Sequence, residues 1–122
     1  MDGSQGCINL AEKLSQFDEL WSPRIVADVN DYQVKLVKVL GDFPEHHHDD
    51  TDELFLVLAG ELQIRLPGET VTLAEGDLFV VPRGMSHQPY SPGGASLLVL
   101  EPAGTMNRGS AGGPASTSGE RL

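Results

Sequence analysis

At 122 residues the chain has the size of one domain with one core. Eighteen acidic residues against eight Lys and Arg give a formal charge of −10, and no basic cluster is present to meet nucleic-acid phosphates or an anionic membrane surface. No apolar run approaches the ~20 residues of a membrane span, and the N-terminus lacks the basic region of a signal peptide, so a cytoplasmic location is expected.

Residues 1–8 read as a frayed N-terminus, and Cys7, the single cysteine, as an incidental thiol with no disulfide partner. Asn9 can cap a helix, with Glu12 completing a capping-box-like pair. Leu10, Leu14, Phe17 and Trp21 then form one apolar stripe, which predicts a helix over 9–22, ended by Pro23. Strands follow. Residues 25–29 and 31–40 are β-branched segments, the second half-exposed. Residues 53–59 are apolar on both faces. In 61–66, Leu62, Ile64 and Leu66 alternate with Glu61, Gln63 and Arg65. Short strands are expected at 70–73 and 78–81, and a stronger one at 95–100, with Pro67-Gly68-Glu69, Glu75-Gly76-Asp77 and Ser91-Pro92-Gly93-Gly94 as turns. One helix and about eight short strands with regularly spaced turns predict an antiparallel barrel or jelly roll over 23–108. Residues 109–122 are Gly/Ser-rich and read as a flexible tail.

The chemistry gathers in the stretch 41–60, which holds three of the four histidines. In an extended segment His46 and His48 share a face and His47 points away. Glu53 shares parity with Phe55 and Val57, so it faces the barrel interior. A carboxylate buried there unpaired would be costly. A divalent cation held by the neighbouring imidazoles offsets that cost. His87, aimed by the bend at Pro82 and Gly84, supplies a fourth ligand. Three imidazoles and a carboxylate suit one Fe, Mn, Ni, Co, Cu or Zn ion per chain and leave positions open for water, substrate or O₂. The acidic run Asp49, Asp50 and Asp52 reads as a solvated turn. Phe55, Val57, Met85 and Tyr90 are candidate pocket residues, and Arg83 flanks His87.

These residues resemble the two motifs of the cupin superfamily. Gly41, His46, His48, Glu53 and Gly60 match the first, and Gly76, Pro82, Gly84 and His87 match the second. The likeness spans roughly residues 8–108 and, through segments such as DDTDELFLVLAGEL and FVVPRGMSHQPY, extends to small bacterial single-cupin proteins described as mannose-6-phosphate-isomerase-like. It implies an all-β double-stranded β-helix, the cupin jelly-roll barrel, with a short N-terminal helix. Three positions depart from the pattern. Four residues, not five, separate Gly41 from His46. Ser91 stands where an extended second motif has Asn, and Glu45 where relatives often carry an aromatic.

Such a fold hosts many reactions. The expectation is a metal-dependent enzyme of isomerase, oxygenase or lyase type acting on a small polar organic molecule. The alternatives are a non-catalytic sensor of a small molecule or metal, and a metal-free barrel. A phosphosugar is disfavoured, because Arg65 is on the outward parity and only Arg83 remains near the mouth. The doubly apolar strand 53–59 also predicts a homodimer.

Overall fold

The computed structural model describes residues 4–122. Eight strands follow one short helix: β1 (Arg24–Val29), β2 (Tyr32–Asp42), β3 (Glu53–Gly60), β4 (Leu62–Leu66), β5 (Glu69–Leu73), β6 (Leu78–Val81), β7 (Gln88–Pro102) and β8 (Glu120–Arg121). They hydrogen-bond in the order β5-β4-β7-β2-β1-β8, with β3 between β7 and β6. All pairings are antiparallel except β1 with β8. This is the all-β jelly roll that the turn spacing predicts.

The barrel interior follows from parity. Val37 and Val39 of β2, Phe55 and Val57 of β3, Leu62 and Ile64 of β4, and Leu97 and Val99 of β7 all point inward and are buried. Gly60 lets β3 cross close over β7. Its φ is +82°, and a Cβ there would collide with the backbone of Gly94 and Ala95. A second cluster, Phe17, Val26 and Leu36, lies on the outer face under Ile8, Leu10 and Leu14.

Four expectations change. The helix α1 is only Leu10–Leu14, although Asn9 Oδ1 does cap it, accepting from Glu12 N at 2.9 Å. A helix this short has little stability of its own, and Phe17 and Trp21 serve different clusters. Phe17 covers the outer face, whereas Leu20 bridges to Lys38 and carries Trp21 onto Phe43, with ring centroids 4.6 Å apart. Trp21 holds a positive φ of 58°, fixed by bonds from its backbone N to Lys38 O and from Nε1 to Leu40 O. The expected frayed segment is docked where it is described: Gln5 exchanges two hydrogen bonds with the backbone of Asp28; residues 1–3 lie outside the described residues. The Ser91–Gly94 turn lies inside the 15-residue β7, whose first part pairs with β4 and whose second part pairs with β3. β2 runs beside both parts. The Gly/Ser-rich tail is not loose. It forms a 3-10 turn at Gly109–Ala111 and ends in β8, paired with β1.

Candidate metal centre

His46 and His87 are brought together by the backbone. Their N–H groups donate to each other's carbonyls at 3.0 and 2.8 Å, and the rings lie 4.3 Å apart. The turn at Pro82–Met85 is pinned to the same stretch, since Gly84 N donates to His48 O at 2.7 Å and Arg83 N to Asp52 Oδ1 at 2.8 Å. Glu53 opens β3 directly opposite Val81. His46, His48, Glu53 and His87 are all buried, and one candidate ligand atom from each falls within 4.8 Å of the others. Donors on opposite sides of a single ion with bonds of ~2.1 Å are roughly 4 Å apart, so a small contraction would bring all four onto one cation.

The hydrogen bonds select the ligating nitrogens. His46 Nδ1 lies 2.8 Å from Pro44 O and His87 Nδ1 lies 3.0 Å from Met85 O. A carbonyl only accepts, so both Nδ1 atoms carry the proton and both Nε2 atoms keep a free lone pair. His87 Nε2, His48 Nε2 and Glu53 Oε1 are buried with no hydrogen-bond partner. The two imidazole nitrogens approach Glu53 Oε1 to 3.3 and 3.5 Å without hydrogen-bond geometry. Buried polar atoms are rarely left unpaired. Three that converge on one point fit a metal ion, and the tetrad could bind one. Burial lowers His46 to about 4 against the opposing hydrogen bond to Pro44, which keeps the ring neutral. Burial alone would raise Glu53, but the imidazoles of His48 and His87 outweigh it and hold the carboxyl well below its usual range. Neutral imidazole and ionised carboxylate are the ligating forms.

A cavity of about 50 Å³ adjoins the tetrad. Its walls are mostly apolar: Trp21, Phe43, Phe55, Val37, Leu97 and Val99 contribute, and His46 and Glu53 open onto it. Of the candidate pocket residues, Phe55 lines this cavity, with its ring edge-on to His87 at 6.3 Å. Val57 belongs to the barrel core, Met85 packs against that core, and Tyr90 stacks under Arg65 at 4.6 Å. Arg83 is exposed beside Asp52. His47 faces away from the tetrad toward Asp49 and Ser110.

Sequence reasoning missed two buried residues of this wall. Lys35 Nζ donates to Glu101 Oε1 at 2.8 Å and to Thr105 O at 3.3 Å, and both side chains are essentially inaccessible. Burial and the nearby Glu53 carboxylate push Glu101 well above its usual range against the pull of Lys35. The signal was parity: Lys35 is in step with Val37 and Val39, and Glu101 with Leu97 and Val99.

The sequence profile of the cupin domain family matches residues 35–101. The chain belongs to the cupin family. Among solved structures, this cupin is similar to a cupin-2 domain containing protein from Shewanella frigidimarina, with a TM-score of 0.77 and 45% identity over 78% of this chain and 93% of that one. It is also similar to hydroquinone 1,2-dioxygenase from Sphingomonas sp. TTNP3, with a TM-score of 0.72 and 30% identity over 80% of this chain and 32% of that one. Among sequence relatives, the uncharacterized protein YdbB of Bacillus subtilis is 42% identical over 67 residues, which are 54% of this chain and 59% of that protein. The 3-hydroxyanthranilate 3,4-dioxygenase of Brucella anthropi is 36% identical over 66 residues, 48% of this chain and 36% of that enzyme. The matches thus span well under two thirds of either sequence relative.

Proposed function

We propose that this cupin is a metal-dependent enzyme of dioxygenase type acting on a small, largely apolar ring compound that carries an oxygen substituent. The observation that carries this reading is the buried tetrad itself: unpaired lone pairs of His48, His87 and Glu53 converge beside a cavity walled by Trp21, Phe43 and Phe55. The mostly apolar wall supports a more apolar molecule than the polar one expected from the sequence. The similarity to enzymes named as dioxygenases of hydroquinone and of 3-hydroxyanthranilate supports the same class.

His46, His48, Glu53 and His87 would hold the metal, whose open positions supply Lewis-acid or O₂ chemistry. The chain's own residues do the rest. Pro44 O and Met85 O fix the two imidazoles through their Nδ1 protons. Trp21 and Phe43 give a flat wall against which a ring can lie. Lys35, paired with Glu101, lines the same cavity and would present a cationic group to an oxygen of the substrate. The apolar wall keeps bulk water from the tetrad. Arg65 is engaged by Asp42 at 3.0 Å and Arg83 is out at the surface, which leaves a phosphosugar no arginine in the cavity.

The test is metal analysis of protein purified without a tag, followed by anaerobic loading with Fe(II), Mn(II), Ni(II), Co(II), Cu(II) or Zn(II). O₂ consumption is then measured with hydroquinone, catechol and 3-hydroxyanthranilate. Metal near one equivalent with O₂ uptake on a phenolic ring is the expected result. Protein without metal after every loading would overturn the reading. Bound metal with no turnover would leave a ligand-binding cupin instead. A homodimer is part of the same proposal: Leu78 and Val80 are exposed on β6, which pairs only with β3. A monomer by light scattering at micromolar concentration would remove it.

A further inference from the structure

We propose that residues 107–122 are a strap that closes the cavity and braces the ligand-bearing segment 46–48, latched by Ser110 onto His47. The segment leaves β7 through a turn in which Thr105 N donates to Pro102 O. Asn107 then lines the cavity and ties its mouth together. Its Nδ2 donates to Trp21 O at 3.3 Å, its Oδ1 accepts from Thr117 N at 2.9 Å, and its backbone N donates to Thr117 O at 2.9 Å. The 3-10 turn lies directly on the histidine triplet. Ser110 N donates to His47 O at 3.0 Å, His47 N donates to Ser110 Oγ at 3.0 Å, and the same hydroxyl lies 3.0 Å from His47 Nδ1. The approach is so close that a Cβ on Gly109 would collide with His47 O and press on the rings of His46 and His48. Beyond the turn the chain runs back to β1. Glu120 N donates to Pro23 O, Leu122 N donates to Ile25 O at 2.9 Å, and Arg121 is paired with Asp28 at 2.9 Å.

Several of these contacts fall on residues at the site. Trp21, Pro23 and Asn107 are wall residues, and the strap bonds to the first two and contains the third. His47 sits between two of the tetrad's histidines, and its own backbone N–H and C=O are both spent on Ser110. This gives the middle histidine of the triplet a purpose that its outward parity did not suggest: it is the post on which the strap is fastened. Ser110 is a positioning residue, acting on His46 and His48 through the backbone between them. Releasing it frees segment 46–48 and loosens the strap that holds Asn107 against Trp21 at the cavity wall. The bracing half of this inference rests on the metal reading above; the closing half does not.

Two readouts separate the halves. The first is the rate at which Co(II)-loaded protein gives up its ion to excess EDTA. The second is acrylamide quenching of Trp21, the only tryptophan in the chain. Three variants are compared with the parent: a stop after Arg108, Ser110→Ala and Ser110→Thr. Loss of residues 109–122 should speed metal release by at least about ten-fold, and loss of the Ser110 hydroxyl alone by roughly five-fold. Both should raise quenching of Trp21, and Ser110→Thr, which keeps the hydroxyl at an exposed position, should restore parental behaviour. Parental release and parental quenching in the shortened chain overturn the strap. Should that chain lose its barrel by circular dichroism, identical behaviour of Ser110→Ala and Ser110→Thr overturns the latch. If the parent holds no Co(II), the metal reading fails, while quenching still decides closure.

Discussion

Two polar clusters are buried in the same barrel and differ in one respect. Lys35 and Glu101 answer each other at one oxygen: Lys35 Nζ donates to Glu101 Oε1 and also to Thr105 O. The tetrad does not answer itself. His48 Nε2, His87 Nε2 and Glu53 Oε1 lie buried side by side with no hydrogen-bond partner. One cluster leaves a single oxygen, Glu101 Oε2, without a partner, and the other leaves three atoms unmet around one shared point. Burial alone does not make a site; an unmet bonding requirement at a shared point does.

The comparison can be broken most decisively at the tetrad. His48→Ala or His87→Ala should remove most of the bound metal, read by elemental analysis against the parent; full retention in both would dissolve the distinction. Next in size is the paired cluster. Lys35→Ala strands the Glu101 carboxyl in the interior and should cost about 3–5 kcal/mol in denaturant unfolding, whereas Lys35→Met combined with Glu101→Leu should come within about 1 kcal/mol of the parent or exceed it. That double variant should keep its metal.

Acid sharpens the contrast for metal-free protein. His46 is held neutral down to about 4, while the unfolded chain takes up that proton near its ordinary value of 6.5. Unfolding therefore binds a proton in this window, and stability falls as pH drops from about 6.5 to about 4, by up to about 3 kcal/mol, and does not change further below it on this account. Glu53, held low, adds a loss at still more acid pH, where the unfolded carboxylate protonates before the folded one. Denaturant midpoints at pH 7, 5 and 4 check the sign. The smallest effect is metal binding by the parent. A loading metal at 100 times its Kd should add about 2.7 kcal/mol to stability, read as a higher Tm, and His48→Ala should show no such gain.

Parity made most of the site legible. Alternation along β3 puts Glu53 and Phe55 on its inward face, and the extended segment between β2 and β3 puts His46 and His48 on one side, with His46 bridged to His87. The same rule would have exposed Lys35 and Glu101. A charged residue in a strand ordinarily marks a solvated face, and the covered outer face at Leu36 hides which side of β2 is in. The helix was overextended for a different reason: Phe17 and Trp21 fall on a helical period, but tertiary burial pulls them to opposite sides of the sheet. The tail was misread because composition does not separate glycine used for freedom from glycine used for fit. Gly109 is there because nothing larger can approach the histidines so closely.

Strand β7 has a temporal consequence. It is hydrogen-bonded to β2, β3 and β4, all of which precede it in the chain, and His87 immediately precedes it. During synthesis those strands emerge without their shared neighbour, and β3 has only β6 to lean on. Closing the barrel therefore depends on pairings distant in sequence, the kind that slows folding. The histidine triplet waits through that interval as an incomplete pair of ligands. The cavity is complete only with β7 in place, since Leu97 and Val99 of that strand form part of its wall.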